Sequence, residues 1–156
     1  MATGTVKWFT QGLHDCGKKI HDLSADALQL GIVTNATVPA VSTAAPHWGG
    51  TGTTDFSANE VSTAGTSYTG PITLTTVTWT IVSNVPTLRA DIITLAQDAS
   101  GFTNGAYGII FNSTDANKRC VGFVEINSGG TASLVSGQLV IDWNGATNDV
   151  LTLTQA

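Results

Sequence analysis

Pro71-Ile72-Thr73-Leu74-Thr75-Thr76-Val77-Thr78-Trp79-Thr80-Ile81-Val82 is the stretch that decides the fold class. Apolar residues alternate with threonine, the period-two pattern of a strand that buries one face. Ile72 and Leu74 lie in one phase, whereas Val77, Trp79 and Ile81 lie in the other. The phase slips at Thr75-Thr76, which marks a bulge where a strand bends or passes from one sheet to another. At about 3.3 Å per residue the stretch spans about 40 Å, and it reads as the central strand of an all-β fold.

Downstream, Asn84-Val85-Pro86 reads as a turn, followed by a strand over 88–96. Its apolar residues fall on both faces, Ala90 and Ile92 on one and Ile93 and Leu95 on the other, so it is expected to be covered on both sides. Strands over 106–112 and 118–126 flank Ser113-Thr114-Asp115-Ala116-Asn117 as a hairpin. A last hairpin pairs 138–143 with 149–154 around Asn144-Gly145-Ala146-Thr147-Asn148.

Upstream, 27–34 reads as a strand, and 35–69 is a long unpatterned connection containing Pro39, Pro46, Gly49-Gly50, Gly52 and Gly65. A connection longer than about 15 residues is usually functional or mobile. Trp48, Phe56 and Tyr68 argue against disorder, because a free linker rarely carries three aromatic rings. They are expected to pin the excursion to the chain's own sheet or to a neighbouring subunit. Val6, Phe9, Leu13, Cys16 and Ile20, at three- and four-residue spacing, predict a short amphipathic helix over 6–20 with Gly17 at its end. The chain therefore reads as one domain, 1–156, mainly all-β: a β-sandwich or jelly-roll-like fold with a short N-terminal helix and a long contact loop over 35–69.

With 156 residues the chain is long enough for one core without a metal or disulfide. A net charge of -5 and only six Lys or Arg argue against binding a phosphate backbone, so no nucleic-acid partner is expected. Thr3-Gly4-Thr5-Val6-Lys7-Trp8-Phe9 resembles the first strand of cold-shock domains, but the base-stacking strands of that family do not follow it, and the match is accidental. No apolar run of 18 residues and no leading apolar segment occur, so neither a membrane span nor a secretory signal is expected. Charged residues make up 11% and threonine occurs 25 times. A surface of Thr, Ser, Asn and Gly suits a protein whose surfaces become contacts.

Signatures of chemistry are sparse. Cys16 and Cys120 lack metal spacing and read as reduced, mostly buried thiols. His14, Cys16 and His21 form a ligand set only if a fourth group joins them, and zinc sites use tighter pairs. Gly65-Thr66-Ser67-Tyr68-Thr69 is a turn rather than a nucleophile elbow, since Thr69 replaces the second glycine. Asp55, Glu60, Asp91, Asp98, Glu125 and Asp142 are scattered over different elements and read as solvated acids. Asp142, Asn144 and Asp149 place oxygens as a calcium loop would, but hairpin turns favour the same residues. Asn35-Ala36-Thr37 and Asn112-Ser113-Thr114 match the glycosylation acceptor pattern, with no secretory context. No catalytic, cofactor-binding or metal residue is assigned. Trp79 and Trp143 are in phase with strand neighbours and read as core. Trp48, in Pro46-His47-Trp48-Gly49-Gly50, either anchors the loop to its own domain or meets a partner.

The order of segments carries a resemblance. Asp22-Leu23-Ser24-Ala25-Asp26-Ala27-Leu28-Gln29-Leu30-Gly31-Ile32-Val33-Thr34 leads through a loop to Asn59-Glu60-Val61-Ser62-Thr63-Ala64-Gly65-Thr66-Ser67-Tyr68-Thr69-Gly70. The threonine-rich stretch, Ala106-Tyr107-Gly108-Ile109-Ile110-Phe111 and Val121-Gly122-Phe123-Val124-Glu125-Ile126 follow. Over 6–154 this order resembles a family of small tailed-bacteriophage virion proteins that includes capsid cement (decoration) proteins. The resemblance implies a non-enzymatic structural subunit on the outer surface of the virion capsid. Its partners would be the major capsid protein and further copies of itself, with no cofactor. Contacts are then expected at the N-terminal segment and the long loop, at Trp8, Phe9, His47, Trp48, Phe56 and Tyr68. A tail or baseplate component is the alternative, and a carbohydrate-binding sandwich using Trp48 or Tyr68 as a sugar platform is another.

Overall fold

The computed structural model describes residues 5–143 and 147–153. Residues 144–146 of the expected last loop, and residue 154 of its second strand, lie outside the described residues. The architecture is all-β with one short helix, α1 (Thr10–Gly17). Five strands make the principal sheet, in the order β1 (Lys7–Trp8), β10 (Cys120–Glu125), β9 (Tyr107–Asn112), β2 (Leu28–Val33), β5 (Ile72–Thr73), every neighbouring pair antiparallel. Three small sheets complete it: β12 (Asp149–Thr152) with β7 (Val85–Arg89) and β6 (Thr78–Val82), then β11 (Leu139–Ile141) with β8 (Ile93–Leu95), and β3 (Pro46–His47) parallel to β4 (Thr54–Asp55).

The central strand is β9, flanked by β10 and β2, and not the threonine-rich stretch. All three are buried on both faces for nearly their whole length. One face contributes Leu28, Leu30, Ile32, Ile110 and Val124 to the larger core, where Leu88, Ile93, Leu95, Leu139, Ile141 and Leu151 of the small sheets cover it. The opposite face presents Val33, Ile109, Phe111 and Phe123 to a second core, closed by Phe9, Trp48 and Phe56. Double coverage explains why these strands read as continuous apolar runs rather than as alternation.

The slip at Thr75-Thr76 is a passage between sheets, the second of the two outcomes that the phase change left open. Thr76 takes a left-handed φ of 52°, which ends the extended run. The Asp91 carboxylate accepts from the hydroxyls of Thr75 (3.0 Å) and Thr76 (2.6 Å), and the Asp91 N–H donates to the Thr75 carbonyl. The stretch therefore splits into β5 and β6, each at a sheet edge. The expected strand over 88–96 divides in the same way, into β7 and β8, with Ile92 exposed between them rather than covered. The turn before it is Ser83-Asn84, both with positive φ, the signature of a tight I′ hairpin that leaves Val85 and Pro86 in β7.

The 113–117 hairpin forms as expected, joining β9 to β10. The last expected hairpin does not: β11 pairs with β8, and β12 with β7. Alternation specifies which face a residue presents but not which strand lies beside it. The helix is shorter than 6–20, because Lys7 and Trp8 pair with Phe123 and Gly122 as a strand. Its buried residues are Gly12 and Asp15, while Leu13, Cys16 and Ile20 are half-buried. A Cβ on Gly12 would lie 2.5 Å from the Val121 carbonyl oxygen, so glycine lets α1 lie directly on β10. The left-handed residue beyond α1 is Lys19, not Gly17.

Candidate functional site

The excursion over 35–69 is pinned by its rings to the chain's own principal sheet. The Trp48 indole stacks on Phe111 with centroids 5.2 Å apart and planes 1° apart. It lies flat over Gly31, where an added Cβ would stand 2.1 Å from Cη2. Phe56 meets Phe9 at 5.8 Å, and Phe9 meets Phe123 at 4.9 Å. Tyr68 is buried on the other side of the sheet, where its hydroxyl donates to Glu60 (2.8 Å) and accepts from the Ile32 N–H (3.0 Å). Burial pushes the Tyr68 phenol well above its ordinary pKa, with the Glu60 carboxylate adding to the rise. His47 is buried and accepts the Gly50 N–H at Nδ1, 3.2 Å away.

Phe9, His47, Trp48, Phe56 and Tyr68 are therefore interior residues, and their side chains are not presented to a neighbour. The rings found their best cover at home, on a sheet face that would otherwise be an exposed apolar patch. Trp8 is half-buried, edge-on to Trp79 at 6.3 Å, and donates from Nε1 to the Thr152 carbonyl. Burial also removes Trp48 and Tyr68 as sugar platforms. Trp143 is buried, and Nε1 donates to the Asp91 carbonyl at 2.8 Å. Trp79 is half-buried rather than core.

The scattered acids tie loops down. Asp98 Oδ2 accepts the N–H groups of Thr66 and Ser67, while Oδ1 accepts that of Ser100. These donors, led by Ser67, hold its carboxyl down at about 2. Asp55 accepts from the Gly49 N–H and from the N–H and hydroxyl of Ser57. Burial pushes its pKa up, but those donors together with His47 outweigh it, and the net shift is downward. Glu125 takes the Gly129 N–H, and Asp149 pairs with Arg89 at 2.6 Å. Asp142, from the same expected calcium loop, has a buried Oδ1.

Among the described residues a dense polar cluster lies where α1, the 18–27 connection and the 113–117 hairpin meet, assembled from residues that no spacing in the sequence connects. Asn112 is fully buried, so it is no glycan acceptor. Its Oδ1 accepts the N–H groups of Thr114 and Asp115, which fixes the amide orientation. Its Nδ2 then donates to Asp26 (2.6 Å) and to Nδ1 of buried His21 (3.1 Å). Burial lowers the His21 pKa, with Arg119 adding to the drop and Asp15, Asp115 and Asp26 opposing it. Buried Asp15 accepts from Gln11 at 2.8 Å, while its Oδ2 lies 3.9 Å from Arg119 Nε without a hydrogen bond. The signal available in the sequence was only a local density of Asp, Asn and His around two turns.

Beside this cluster, Cys16, Lys19, His21, Asp22, Leu23 and Trp79 line an open cleft of about 290 Å³. A Cys and a His in one cleft suggest nucleophilic chemistry, but the electrostatics oppose it. Burial, then the Asp15 charge, pushes the Cys16 thiol up to about 11, so the thiolate is scarce near neutrality. His21 Nδ1 is engaged by Asn112. Burial also raises the fully buried Cys120 thiol. His14, Cys16 and His21 do not converge, and among the described residues no group of three or more His, Cys, Asp or Glu is placed to hold a metal ion. No described helix is long and apolar enough to cross a membrane.

No protein-family model, no curated protein and no solved structure matches this chain.

Proposed function

We propose that the protein is a non-enzymatic virion structural subunit, a capsid cement protein that binds across seams between major capsid subunits on the outer surface of the head. The observation that carries this reading is the pairing of a charge-poor composition with large aliphatic side chains exposed at separate places. Charged residues are 11% of the chain. Val38 and Val41 project from the long loop, Ile81 from β6, Ile92 between β7 and β8, Val135 before β11 and Leu153 after β12. Single exposed aliphatics are ordinary, but spread over a surface with few charges they suit a subunit that touches several neighbours. Its task is to oppose outward pressure across seams, and many weak symmetric contacts achieve this when each recurs around the shell. The aromatic pinning of the long loop supports the reading by making the contact-bearing loop rigid before it binds.

The deciding experiment incubates purified protein with expanded, undecorated capsids and counts bound copies, with virion copy number as the companion measurement. Saturable binding at hundreds of copies per particle is expected. No binding to heads, together with a handful of copies in tails, replaces this reading with the tail or baseplate one.

A further inference from the structure

We propose that the free edge of β6 is a self-association seam, at which a second copy of this chain pairs antiparallel about a two-fold axis through Thr80. This inference concerns contact between copies and stands whether or not a capsid is the final partner.

The two-residue Ser83-Asn84 turn makes Val82 and Val85 a hydrogen-bonded pair. Alternation then turns the backbone groups of Thr78 and Thr80 toward β7. The N–H and C=O groups of Trp79 and Ile81 face the other way. Among the described residues no backbone or side-chain partner meets them. The same alternation accounts for Pro86, opposite Ile81, whose missing N–H would have faced β12; its carbonyl there accepts the Leu153 N–H at 3.0 Å. Exposed edges are usually blunted by charge, proline or a bulge. Thr78-Trp79-Thr80-Ile81-Val82 carries none of these.

The outward groups at 79 and 81 flank Thr80 symmetrically, so the edge is complementary to itself. Pairing Thr80 with its counterpart sets Trp79 against Ile81 of the second copy, and Ile81 against its Trp79. Both become hydrogen-bonded pairs, for about four new backbone hydrogen bonds across the seam. Side chains 79 and 81 share one face with Leu88 and Leu151, the face turned to the larger core. Trp79 lines the 290 Å³ cleft on that face, and the second copy's Ile81 would sit beside Trp79 next to it. Ile81, now 75% exposed, would gain cover that its own chain does not provide. No charge lies on the strand to repel its counterpart, and Arg89 on the neighbouring strand is neutralised by Asp149.

A five-residue seam buries less than the roughly 1,200–2,000 Å² of a standard interface, so the dimer is weak in free solution. It gains force where copies are already held side by side. Sedimentation should show the weight-average mass rising from 16.1 kDa toward twice that value as concentration increases from ~10 µM to ~1 mM. Ile81→Lys, at an exposed position, should weaken this about tenfold or more by setting a charge against Trp79 of the second copy, with an unchanged circular dichroism spectrum.

Register is tested separately by oxidative cross-linking. Residue 80 meets itself as a non-hydrogen-bonded pair with Cα atoms about 4.5 Å apart, within disulfide reach. Thr80→Cys should give a reducible dimer readily, whereas Thr78→Cys, placed opposite Val82, and the unaltered chain should not. A chain that stays monomeric at ~1 mM, or equal cross-linking of Thr78→Cys and Thr80→Cys, overturns the proposal. Dimerisation unaffected by Ile81→Lys overturns it as well.

Discussion

Replacing Gly31 by alanine should destabilise the protein when Trp48 is present and stabilise it slightly when Trp48 is absent. In the structure a Cβ at residue 31 stands 2.1 Å from Trp48 Cη2, 2.4 Å from Cζ3 and 2.5 Å from Cζ2. The ring must retreat until those carbons reach about 3.5 Å. It cannot do so freely, because its other neighbour is Phe111, stacked at 5.2 Å. Overpacking of this kind costs about 1–3 kcal/mol. Against it stands the about 0.5–1 kcal/mol by which alanine is favoured over glycine within a regular element. Gly31 has no left-handed φ, so that gain is available. The net effect of Gly31→Ala is a loss of about 0.5–2 kcal/mol. Trp48→Ala alone should cost about 3–5 kcal/mol. In that background the clash is gone and only the gain remains, so Gly31→Ala should raise stability by about 0.5–1 kcal/mol. Urea titrations of the four proteins, followed by far-UV circular dichroism, measure the cycle, with a coupling of about 2 kcal/mol expected. Equal losses from Gly31→Ala in both backgrounds would refute the claim that Trp48 packs on the residue 31 backbone.

Two further outcomes follow from buried polar contacts. Tyr68→Phe leaves the Ile32 N–H without its acceptor and the Glu60 carboxylate without its donor. It should cost about 1–3 kcal/mol in denaturant titrations, and a change below about 0.5 kcal/mol would show that the hydroxyl is not buried between them. For His21, burial depresses the folded pKa below the unfolded value of 6.5, with Arg119 adding to the drop and Asp15, Asp115 and Asp26 opposing it. The unfolded chain therefore binds the proton first, so the stability held above pH 6.5 is lost as pH falls below it. Thermal midpoints measured from pH 7.5 down to 5 should fall in the unaltered chain and fall less in His21→Gln; parallel slopes would count against a neutral His21 bound to Asn112.

The all-β class, an interruption at Thr75-Thr76, the strand at 28–33 and the hairpin of β9 and β10 were legible in the sequence. Each rests on local information: period-two alternation, a phase slip, or turn residues bounding two apolar runs. The anchoring role of the rings in 35–69 was legible as one of two outcomes, and folding selected the chain's own sheet. Strand partners were not legible. Leu139 and Ile141 alternate with the same phase whether they meet β12 or β8, and only the filling of the larger core selects β8. Nor was the two-sided burial of β9 readable, since it depends on β6–β8, β11 and β12 covering one face while the long loop and Phe9 cover the other. The cluster of His21, Asp26 and Asn112 assembles over sequence separations of 86 and 91 residues, beyond any spacing rule. Sequence alone settled what each segment prefers locally, because backbone sterics and side-chain periodicity act over a few residues. The tertiary structure decided which face met which, because that choice minimises exposed apolar area over the whole chain at once.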